Sequence, residues 1–285
     1  MKKRIGILTF HRSINYGAYM QSFALSKEIF KRTGIMPEVV DFEFKWKNEH
    51  QATDLKNPFL GREYLLQYKK FRSDLSLLPL SAETFITDDT SNLLEYLQKN
   101  YDILIVGSDA VWAYQKMTLE NPYWLFGDKL DCIKMSYAAS AYSTDFKSVN
   151  EQEKEYIKSQ VKSFDYIGVR DEETFNFIHE ILPEKEIFRN CDPTVLLKVG
   201  DQQIANKIVK DSGLNPNKKL ATFMIAGNTY VPNIIKKIKN DHESIMLYKR
   251  NFLKDKFLPG NKGKMVYNIS PFEWYNLYAS SQLNV

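Results

Sequence analysis

The sequence predicts an α/β protein built from two Rossmann-like units, and three observations support this fold class. Short apolar runs typical of buried parallel strands alternate with segments that have helical periodicity. The alternation stops near residue 197 and then begins again. The length of 285 residues suits two domains of about 150 residues each. We therefore predict an N-terminal domain over residues 1–197 and a smaller C-terminal domain over residues 198–285.

The N-terminal segment has the pattern of a strand, a helix and a second strand. Residues 5–10 (IGILTF) form an apolar run, and residues 11–17 form a polar turn. Apolar residues then recur at helical spacing as far as Phe30. Gly34 is placed to end that helix, and residues 36–41 predict the next strand.

The rest of the N-terminal domain continues the alternation less evenly. Residues 43–100 show little pattern, apart from a basic, aromatic-rich helix expected from Glu63 to Leu78, just before Pro79. The later predicted elements are strands at 101–106, 132–138 and 166–170, a helix at 150–164 with a capping box formed by Asn150 and Glu153, and a helix capped by Asp171 that runs to about residue 181.

The C-terminal domain is predicted to follow an interdomain connection at residues 187–197, which crosses Pro193. Beyond it the alternation resumes. The predicted elements are helices at 201–211 and 231–240 and strands at 220–226 and 245–248. Alternation of this kind is typical of parallel sheets.

Composition and charge exclude several classes of protein. A net charge of +4 is too dilute to indicate a nucleic-acid partner. Cys132 and Cys191 lie far apart, so the sequence indicates neither a disulfide scaffold nor a zinc site. No apolar stretch approaches about 18 residues, so no membrane span or signal peptide is predicted, and we expect a cytoplasmic protein. The basic segment 249–264 is interpreted as a solvated loop, with peripheral membrane contact as the alternative.

Ligands of open α/β sheets bind beyond the carboxyl ends of the strands, so the turns after predicted strands are the first places to look for a site. The turn at 11–17 contains Ser13, Asn15, Tyr16 and Gly17 at a helix start, where backbone N–H groups favour an anionic or hydroxyl-rich ligand. Its spacing matches neither a dinucleotide-binding motif nor a Walker A loop. An ordinary strand-to-helix turn explains the same residues equally well.

A second turn follows the strand at 101–106 and contains Gly107, Ser108 and Asp109. The ordinary interpretation is the start of a capped helix, with Ser108 or Asp109 as the cap. The alternative is that Asp109 accepts a hydrogen bond from a sugar hydroxyl or acts as a base. The small residues at 138–143 are assigned to packing.

Arg170 ends a predicted strand and is the most specific single candidate. Its guanidinium could present a fork to a carboxylate or phosphate, or it could form a local ion pair with an acid at 171–173. His11 follows the first strand and could reach a cleft, so His11 and Asp109 are the candidates for a catalytic role. The four histidines show no metal-ligand spacing, and no metal site is predicted.

Five sequence segments occur in order over most of residues 4–197. They are residues 6–25 (GILTFHRSINYGAYMQSFAL), 101–112 (YDILIVGSDAVW), 134–142 (KMSYAASAY), 167–174 (IGVRDEET) and 191–197 (CDPTVLL). As a set, these segments resemble the polysaccharide pyruvyl transferase family.

The resemblance implies a GT-B-like fold of two Rossmann-like domains with the active site in the cleft between them. It implies transfer of a pyruvyl group from phosphoenolpyruvate to two hydroxyls of a free or lipid-linked saccharide, which forms a ketal during surface-polysaccharide synthesis. Arg170 matches the family's arginine that holds phosphoenolpyruvate. The turn residues 13–17 and 107–109 would border the cleft and help to hold the acceptor. No cofactor beyond the donor substrate is implied.

The family pattern also includes a Ser-Phe-His-Gly turn, whose histidine is thought to be catalytic, after a segment like SPFEWYNLYASSQLNV. This sequence stops at Val285, where that turn would begin. We therefore expect an incomplete second domain and little or no pyruvyl transfer by this chain alone, because His11 does not match the family histidine. The alternatives are a GT-B-like glycosyltransferase that uses a nucleotide sugar, and a non-catalytic binding or scaffold relative.

Overall fold

The computed structural model describes most of the chain. The described residues are 3–56, 61–113, 121–142, 144–197, 200–224, 231–247, 264–266 and 268–284. The chain divides into two compact units, the first formed by Met1–Asn48 and Leu75–Leu197, the second by Glu49–Asp74 and Lys198–Val285.

The segment Glu49–Asp74 is predicted in the N-terminal domain but groups with the second unit. Two contacts with residues near the C-terminus explain this grouping. Lys70 Nζ lies 3.2 Å from Glu273 Oε2, and the Asp74 carboxylate accepts a hydrogen bond from the Phe272 N–H at 3.1 Å. The predicted domain boundary itself stays a prediction.

A seven-stranded sheet forms the first unit. Its strands are β1 (Ile5–Leu8), β2 (Glu38–Glu43), β3 (Leu80–Ile86), β4 (Ile103–Val106), β5 (Ile133–Ala139), β6 (Tyr166–Val169) and β7 (Ile187–Arg189). They pair in parallel in the order β3-β2-β1-β4-β5-β6-β7. The direction of winding reverses between β1 and β4, which is where doubly wound sheets leave a crevice for ligands.

Helices connect the strands, and their ends follow the predicted capping residues. The helices are α1 (Tyr16–Thr33), α2 (Lys45–Lys56), α3 (Gly61–Asp74), α4 (Ser91–Asn100), α5 (Glu151–Val161), α6 (Glu172–Ile181), α7 (Gln202–Asp211), α8 (Val231–Ile238) and α9 (Pro271–Ala279). Gly34 ends α1 with a positive φ of 69°. The capping box of Asn150 and Glu153 is confirmed, and Asp171 accepts from the Thr174 N–H at the start of α6.

Three elements between residues 43 and 100, namely α2, β3 and α4, are not predicted from the sequence. The interpretation of residues 187–197 as a plain connection is also wrong, because β7 occupies part of it. Both β3 and β7 are edge strands, and each exposes several of its residues. An edge strand has a weak apolar signal because only part of it is buried.

The central strands β1 and β4 carry the core of the first unit. Ile7, Leu8 and Val106 are inaccessible to solvent, as expected for strands covered on both faces. Beyond β4, the Trp112 indole donates to the Tyr123 carbonyl at 3.0 Å and stacks on Trp124 with ring centroids 5.1 Å apart. This buried stack anchors the chain that leaves β4.

A four-stranded sheet forms the second unit. Its strands are β8 (Lys219–Met224), β9 (His242–Leu247), β10 (Lys264–Val266) and β11 (Leu283–Asn284), which pair in parallel in the order β10-β9-β8-β11. The prediction of parallel sheets in an α/β fold is confirmed for the described strands. The predicted strands at 220–226 and 245–248 correspond to β8 and β9, although residues 225, 226 and 248 lie outside the described residues. The GT-B-like arrangement stays a prediction.

Candidate functional site

A cavity of about 620 Å³ lies at the carboxyl edge of the first unit's sheet. Its described lining consists of Phe10, Asn15, Trp46, Lys47, Asp109, Ala110, Ala113, Tyr142 and Arg170. These residues follow β1, β2, β4, β5 and β6, so the cavity spans the crevice between β1 and β4. Asn15, Asp109 and Arg170 are site residues that the sequence predicts.

Asp109 stands in an unusual backbone conformation at the end of β4. Its φ is +104°, and it forms an isolated bridge with Ala139. The predicted capped helix start is wrong, because residues 107–113 form turns, and the Asp109 carboxylate instead accepts from the neighbouring Ala110 N–H at 2.7 Å. Burial raises the pKa of Asp109, although that hydrogen bond and the charges of Arg170 and Lys47 act in the opposite direction.

The turns after β4 and β5 are held together by backbone hydrogen bonds. The Ser140 N–H donates to the Asp109 carbonyl at 3.0 Å, and the Trp112 N–H donates to the Ser140 carbonyl at 3.0 Å. Gly107 fits here because its φ is +100° and a Cβ would lie 2.6 Å from the Tyr137 carbonyl oxygen. The small residues that were assigned to packing therefore also set the position of Asp109.

Lys47 enters the cavity from the first turn of α2, among aromatic rings. Its Nζ lies 4.0 Å from the ring centre of Phe10 and 5.4 Å from that of Trp46. Burial lowers the pKa of Lys47 to about 8, against the opposing effect of the Glu43 and Asp109 carboxylates. A lysine and an aspartate with pKa values displaced toward neutrality, on one cavity, are typical of functional sites.

Arg170 follows β6, and its N–H donates to the Ala139 carbonyl at 3.0 Å. Its guanidinium is held by one terminal nitrogen, since Nη1 lies 3.1 Å from Asp192 Oδ2. Asp192 is fixed in turn by Gln21, whose side-chain amide donates to the same oxygen at 2.5 Å. A local ion pair with an acid at 171–173 was one of the two alternatives for Arg170; the ion pair in the structure is this longer-range one with Asp192, and Asp171 Oδ1 caps α6.

His11 is fully buried beneath the sheet edge and is not in the described lining of the cavity. Its Nε2 lies 2.9 Å from the Asp41 carboxylate. Arg12 donates to both oxygens of Asp41 at 2.5 Å, and the Thr84 hydroxyl donates to it at 2.7 Å. Burial alone would raise the pKa of Asp41, but these hydrogen bonds outweigh it and hold the pKa well below its ordinary value.

The remaining predicted residues are not in the described lining of the cavity, so their role in a site stays a prediction. Ser13 points its hydroxyl toward Glu43, and Tyr16 and Gly17 form the first turn of α1. Ser108 is buried, and its carbonyl accepts from the Thr9 hydroxyl at 2.6 Å. The turn at 11–17 therefore contributes Asn15 and the positive end of a helix dipole to the cavity.

Phe10, Trp46, Lys47 and Tyr142 are lining residues that the sequence analysis did not single out. The signal that could have found Lys47 and Trp46 is their position directly after β2, since the same carboxyl-edge rule applies to that strand. Residues 43–100 lack a clear pattern, so the sequence does not show where that strand ends.

Two further properties concern the described residues only. No group of three histidine, cysteine or acidic side chains among them is placed to hold a metal ion. None of the helices in that part of the chain is both long and apolar enough to cross a bilayer. The segment 249–263, which includes nearly all of the predicted basic loop, lies outside the described residues, and the cytoplasmic location stays a prediction.

Comparison with known proteins agrees with the resemblance seen in the sequence. A family model described as polysaccharide pyruvyl transferase matches residues 15–285, which includes most of both units. No curated protein matches the sequence. The chain belongs to the polysaccharide pyruvyl transferase family.

Proposed function

We propose that the cavity binds phosphoenolpyruvate as part of a site for transfer of its pyruvyl group to a saccharide, free or lipid-linked. The expectation of little or no transfer by this chain alone stays a prediction, which the transfer assay below tests separately from donor binding. The observation that carries this proposal is the presence of Arg170, Lys47 and Asp109 on one cavity. Two cations suit a small donor that has both a carboxylate and a phosphate. An acid with a raised pKa suits a reaction that moves protons.

Arg170 is the proposed anchor of the donor. Its planar guanidinium can bind a carboxylate or phosphate through two parallel hydrogen bonds, and Asp192 uses only one terminal nitrogen. A charge-assisted hydrogen bond of this kind contributes about 1.5–3 kcal/mol. Lys47 supplies the second positive charge, and the N-terminus of α1 beside Asn15 adds to the positive potential.

The proposed reaction forms two C–O bonds to C2 of the donor and breaks the C2–O bond to phosphate. C3 gains one proton and becomes a methyl group, while two saccharide hydroxyls attack C2 in turn. One of the two hydroxyl protons balances the proton delivered to C3, and the other leaves with the phosphate. The products are a pyruvyl ketal and inorganic phosphate.

Asp109 is the proposed proton carrier for this reaction. Burial raises its pKa, which favours the protonated form more than in an exposed aspartate and suits a group that passes protons to and from a substrate. Lys47 lies close enough for its charge to influence Asp109. In this role Asp109 takes the proton of an attacking hydroxyl or delivers a proton to C3.

Trp46 and Tyr142 are the proposed contacts for the saccharide ring. Both line the cavity, and they are 47% and 58% exposed. Exposed aromatic rings at the edge of a polar cavity offer an apolar face to the C–H groups of a sugar, while the carboxylate of Asp109 can accept from its hydroxyls.

Isothermal titration with phosphoenolpyruvate tests donor binding, and phosphate release with candidate saccharides tests transfer. We expect saturable donor binding that falls at least about tenfold in Arg170→Ala, equivalent to about 1.4 kcal/mol or more. Arg189→Ala is the matched control, because Arg189 is an exposed arginine on the neighbouring strand β7. Equal binding by all three proteins would contradict the proposal.

The same titration distinguishes the alternative functions. Saturable binding of nucleotide sugars, with none of phosphoenolpyruvate, would favour a glycosyltransferase. Binding of neither class would favour a non-catalytic relative and would overturn the proposal.

A further inference from the structure

A second cavity, of about 480 Å³, lies in the second unit. Its described lining consists of Leu214, Ile235, Lys236, Lys239, His242, Glu243, Ser244 and Lys264. The residues from β9 and β10 stand at the first positions of those strands, and the two lysines 236 and 239 stand at the end of α8. The cavity therefore lies at the amino edge of its sheet, whereas the cavity of Arg170 lies at a carboxyl edge.

The lining of this cavity is strongly basic. Lys236, Lys239 and Lys264 contribute three positive charges. The single acid in the described lining, Glu243, has a cation of its own, since Lys218 Nζ lies 3.8 Å from its carboxylate. The electrostatic balance favours an anionic occupant.

Two residues that line this cavity each have a buried polar atom that lacks a partner among the described residues. Ser244 is only 8% exposed, and its hydroxyl makes no hydrogen bond there. The Nδ1 atom of His242, two positions earlier on β9, is likewise buried and unpaired within that part of the chain. An unsatisfied buried polar atom costs about 1–3 kcal/mol, so such atoms are rare unless a water or ligand completes them.

Lysines near the end of a helix are common, because they complement its dipole. That explanation covers Lys236 and Lys239 but does not account for the unpaired Ser244 hydroxyl or for Lys264 on another strand. An anion in the cavity would account for all of them, since it attracts the lysines and can accept a hydrogen bond from the serine hydroxyl.

We propose that this cavity binds the phosphate or diphosphate group of a small molecule. The three lysines hold the anion, and the Ser244 hydroxyl donates to one of its oxygens. Leu214 and Ile235 provide an apolar wall for the carbon part of the ligand. The volume is within the range of small-molecule sites. This inference stands independently of the proposed pyruvyl transfer.

Inorganic pyrophosphate is the probe, titrated calorimetrically into the full chain carrying Arg170→Ala, so that binding at the first cavity is weakened. We expect saturable binding that drops at least about tenfold in Lys236→Ala/Lys239→Ala and about three- to tenfold in Ser244→Ala. The matched control is Lys207→Ala/Lys210→Ala, which removes two exposed lysines from α7 of the same unit and should leave affinity unchanged.

Ser244→Ala is the decisive variant, because it leaves the charge of the cavity unchanged and removes only the unpaired hydroxyl. Thermal unfolding of each variant shows whether it folds. No saturable binding, equal losses in the control and the lysine variant, or full affinity in Ser244→Ala would each overturn the proposal.

The source of the phosphate group is settled by a second measurement on the same proteins. Flotation with phosphatidic acid vesicles identifies a lipid headgroup if wild type binds and Lys236→Ala/Lys239→Ala does not. Pyrophosphate binding without vesicle binding identifies a free phosphorylated molecule.

Discussion

Two carboxylates in the first unit, Asp41 and Asp109, show how one sheet edge can serve stability and chemistry side by side. Asp41 is 4% exposed in its side chain and accepts hydrogen bonds from His11, Arg12 and Thr84. Asp109 is partly buried, and its one hydrogen bond given by a described residue comes from the Ala110 N–H. The pKa of Asp41 is lowered and that of Asp109 is raised.

Burial alone therefore does not decide the role of a carboxylate. Burial raises the pKa of both, and the hydrogen bonds decide the outcome. Both carboxylate oxygens of Asp41 accept hydrogen bonds from protein groups, so Asp41 is expected to stabilise the fold. Asp109 lines a cavity, and its carboxylate accepts one hydrogen bond from a described residue.

The largest effect is expected for Asp41→Asn. The substitution removes the negative charge that pairs with the buried Arg12 guanidinium, and breaking a buried ion pair costs about 3–5 kcal/mol. Urea unfolding monitored by circular dichroism measures the change. The isosteric Asp109→Asn is the matched control. A loss below about 1 kcal/mol would contradict a structural role for Asp41.

The acid dependence of stability should also reside in Asp41. Its folded pKa lies below the ordinary value of 3.8, so its contribution is present above about pH 4 and is lost as the pH falls toward the folded pKa. Wild type should therefore lose more stability than Asp41→Asn between pH 5 and about pH 3. Parallel curves for the two proteins would contradict this assignment.

Asp109→Asn is expected to reduce whatever pyruvyl transfer the wild-type chain performs about 10²–10³-fold while leaving the fold intact. Because the folded pKa of Asp109 is raised, ionisation above its ordinary value of 3.8 costs stability, and removal of the charge should leave the free energy of unfolding unchanged or raise it by up to about 1 kcal/mol at pH 7. Asparagine also tolerates the positive φ at this position. Phosphate-release kinetics and urea unfolding measure the two effects.

The donor affinity of this variant gives a second readout. Removal of a negative charge beside an anionic ligand should leave phosphoenolpyruvate binding equal or tighter. Weaker donor binding together with a lower unfolding energy would mean that Asp109 is structural, like Asp41.

A smaller effect is expected from the titration of Lys47. With a pKa of about 8, its ammonium group loses its proton between pH 7 and 9, so the affinity for phosphoenolpyruvate should fall by up to about tenfold over that range. Lys47→Arg keeps the positive charge and should show a flat profile. Calorimetric titration at both pH values measures this, and equal slopes for the two proteins would contradict the assignment.

The smallest effect is expected for the stability of Arg170→Ala. Arg170 and Asp192 are about a quarter exposed, at 26% and 27%, and such pairs contribute about 0–1 kcal/mol. Gln21 continues to hold Asp192 in the variant. A loss of more than about 2 kcal/mol in urea unfolding would place Arg170 with Asp41 as a structural residue.

The carboxyl-edge rule accounts for what the sequence could predict of this site. Clear apolar runs mark the strands before Asp109 and Arg170, so the sequence predicts that both residues lie at the carboxyl edge of the sheet. The pattern of a helix start likewise predicts the position of Asn15. Lys47 was missed because the apolar signal is weak where β2 passes into α2. The ring of Phe10, which lies 4.0 Å from the Lys47 ammonium, follows a different strand. The sequence around Lys47 therefore does not show this contact.

Pairings between distant residues explain the remaining differences. In the sequence, the acids at 171–173 are the nearest candidates for an ion pair with Arg170. In the structure the ion pair is with Asp192, which follows β7. His11 was expected to reach a cleft, but the ring contacts Asp41 on the neighbouring strand. Partners separated by tens of residues depend on strand order, which the periodicity of the sequence does not encode.

Because Glu49–Asp74 groups with the second unit, this segment cannot complete its contacts until residues near the C-terminus have been synthesised. Lys70 and Glu273 are 203 residues apart, so α3 is synthesised long before α9, the helix it contacts. The strands of the first sheet are all available once Arg189 has emerged. During that interval α3 cannot contact α9. A translation product halted near residue 200 should therefore have an exposed, protease-sensitive segment between Asn48 and Leu75.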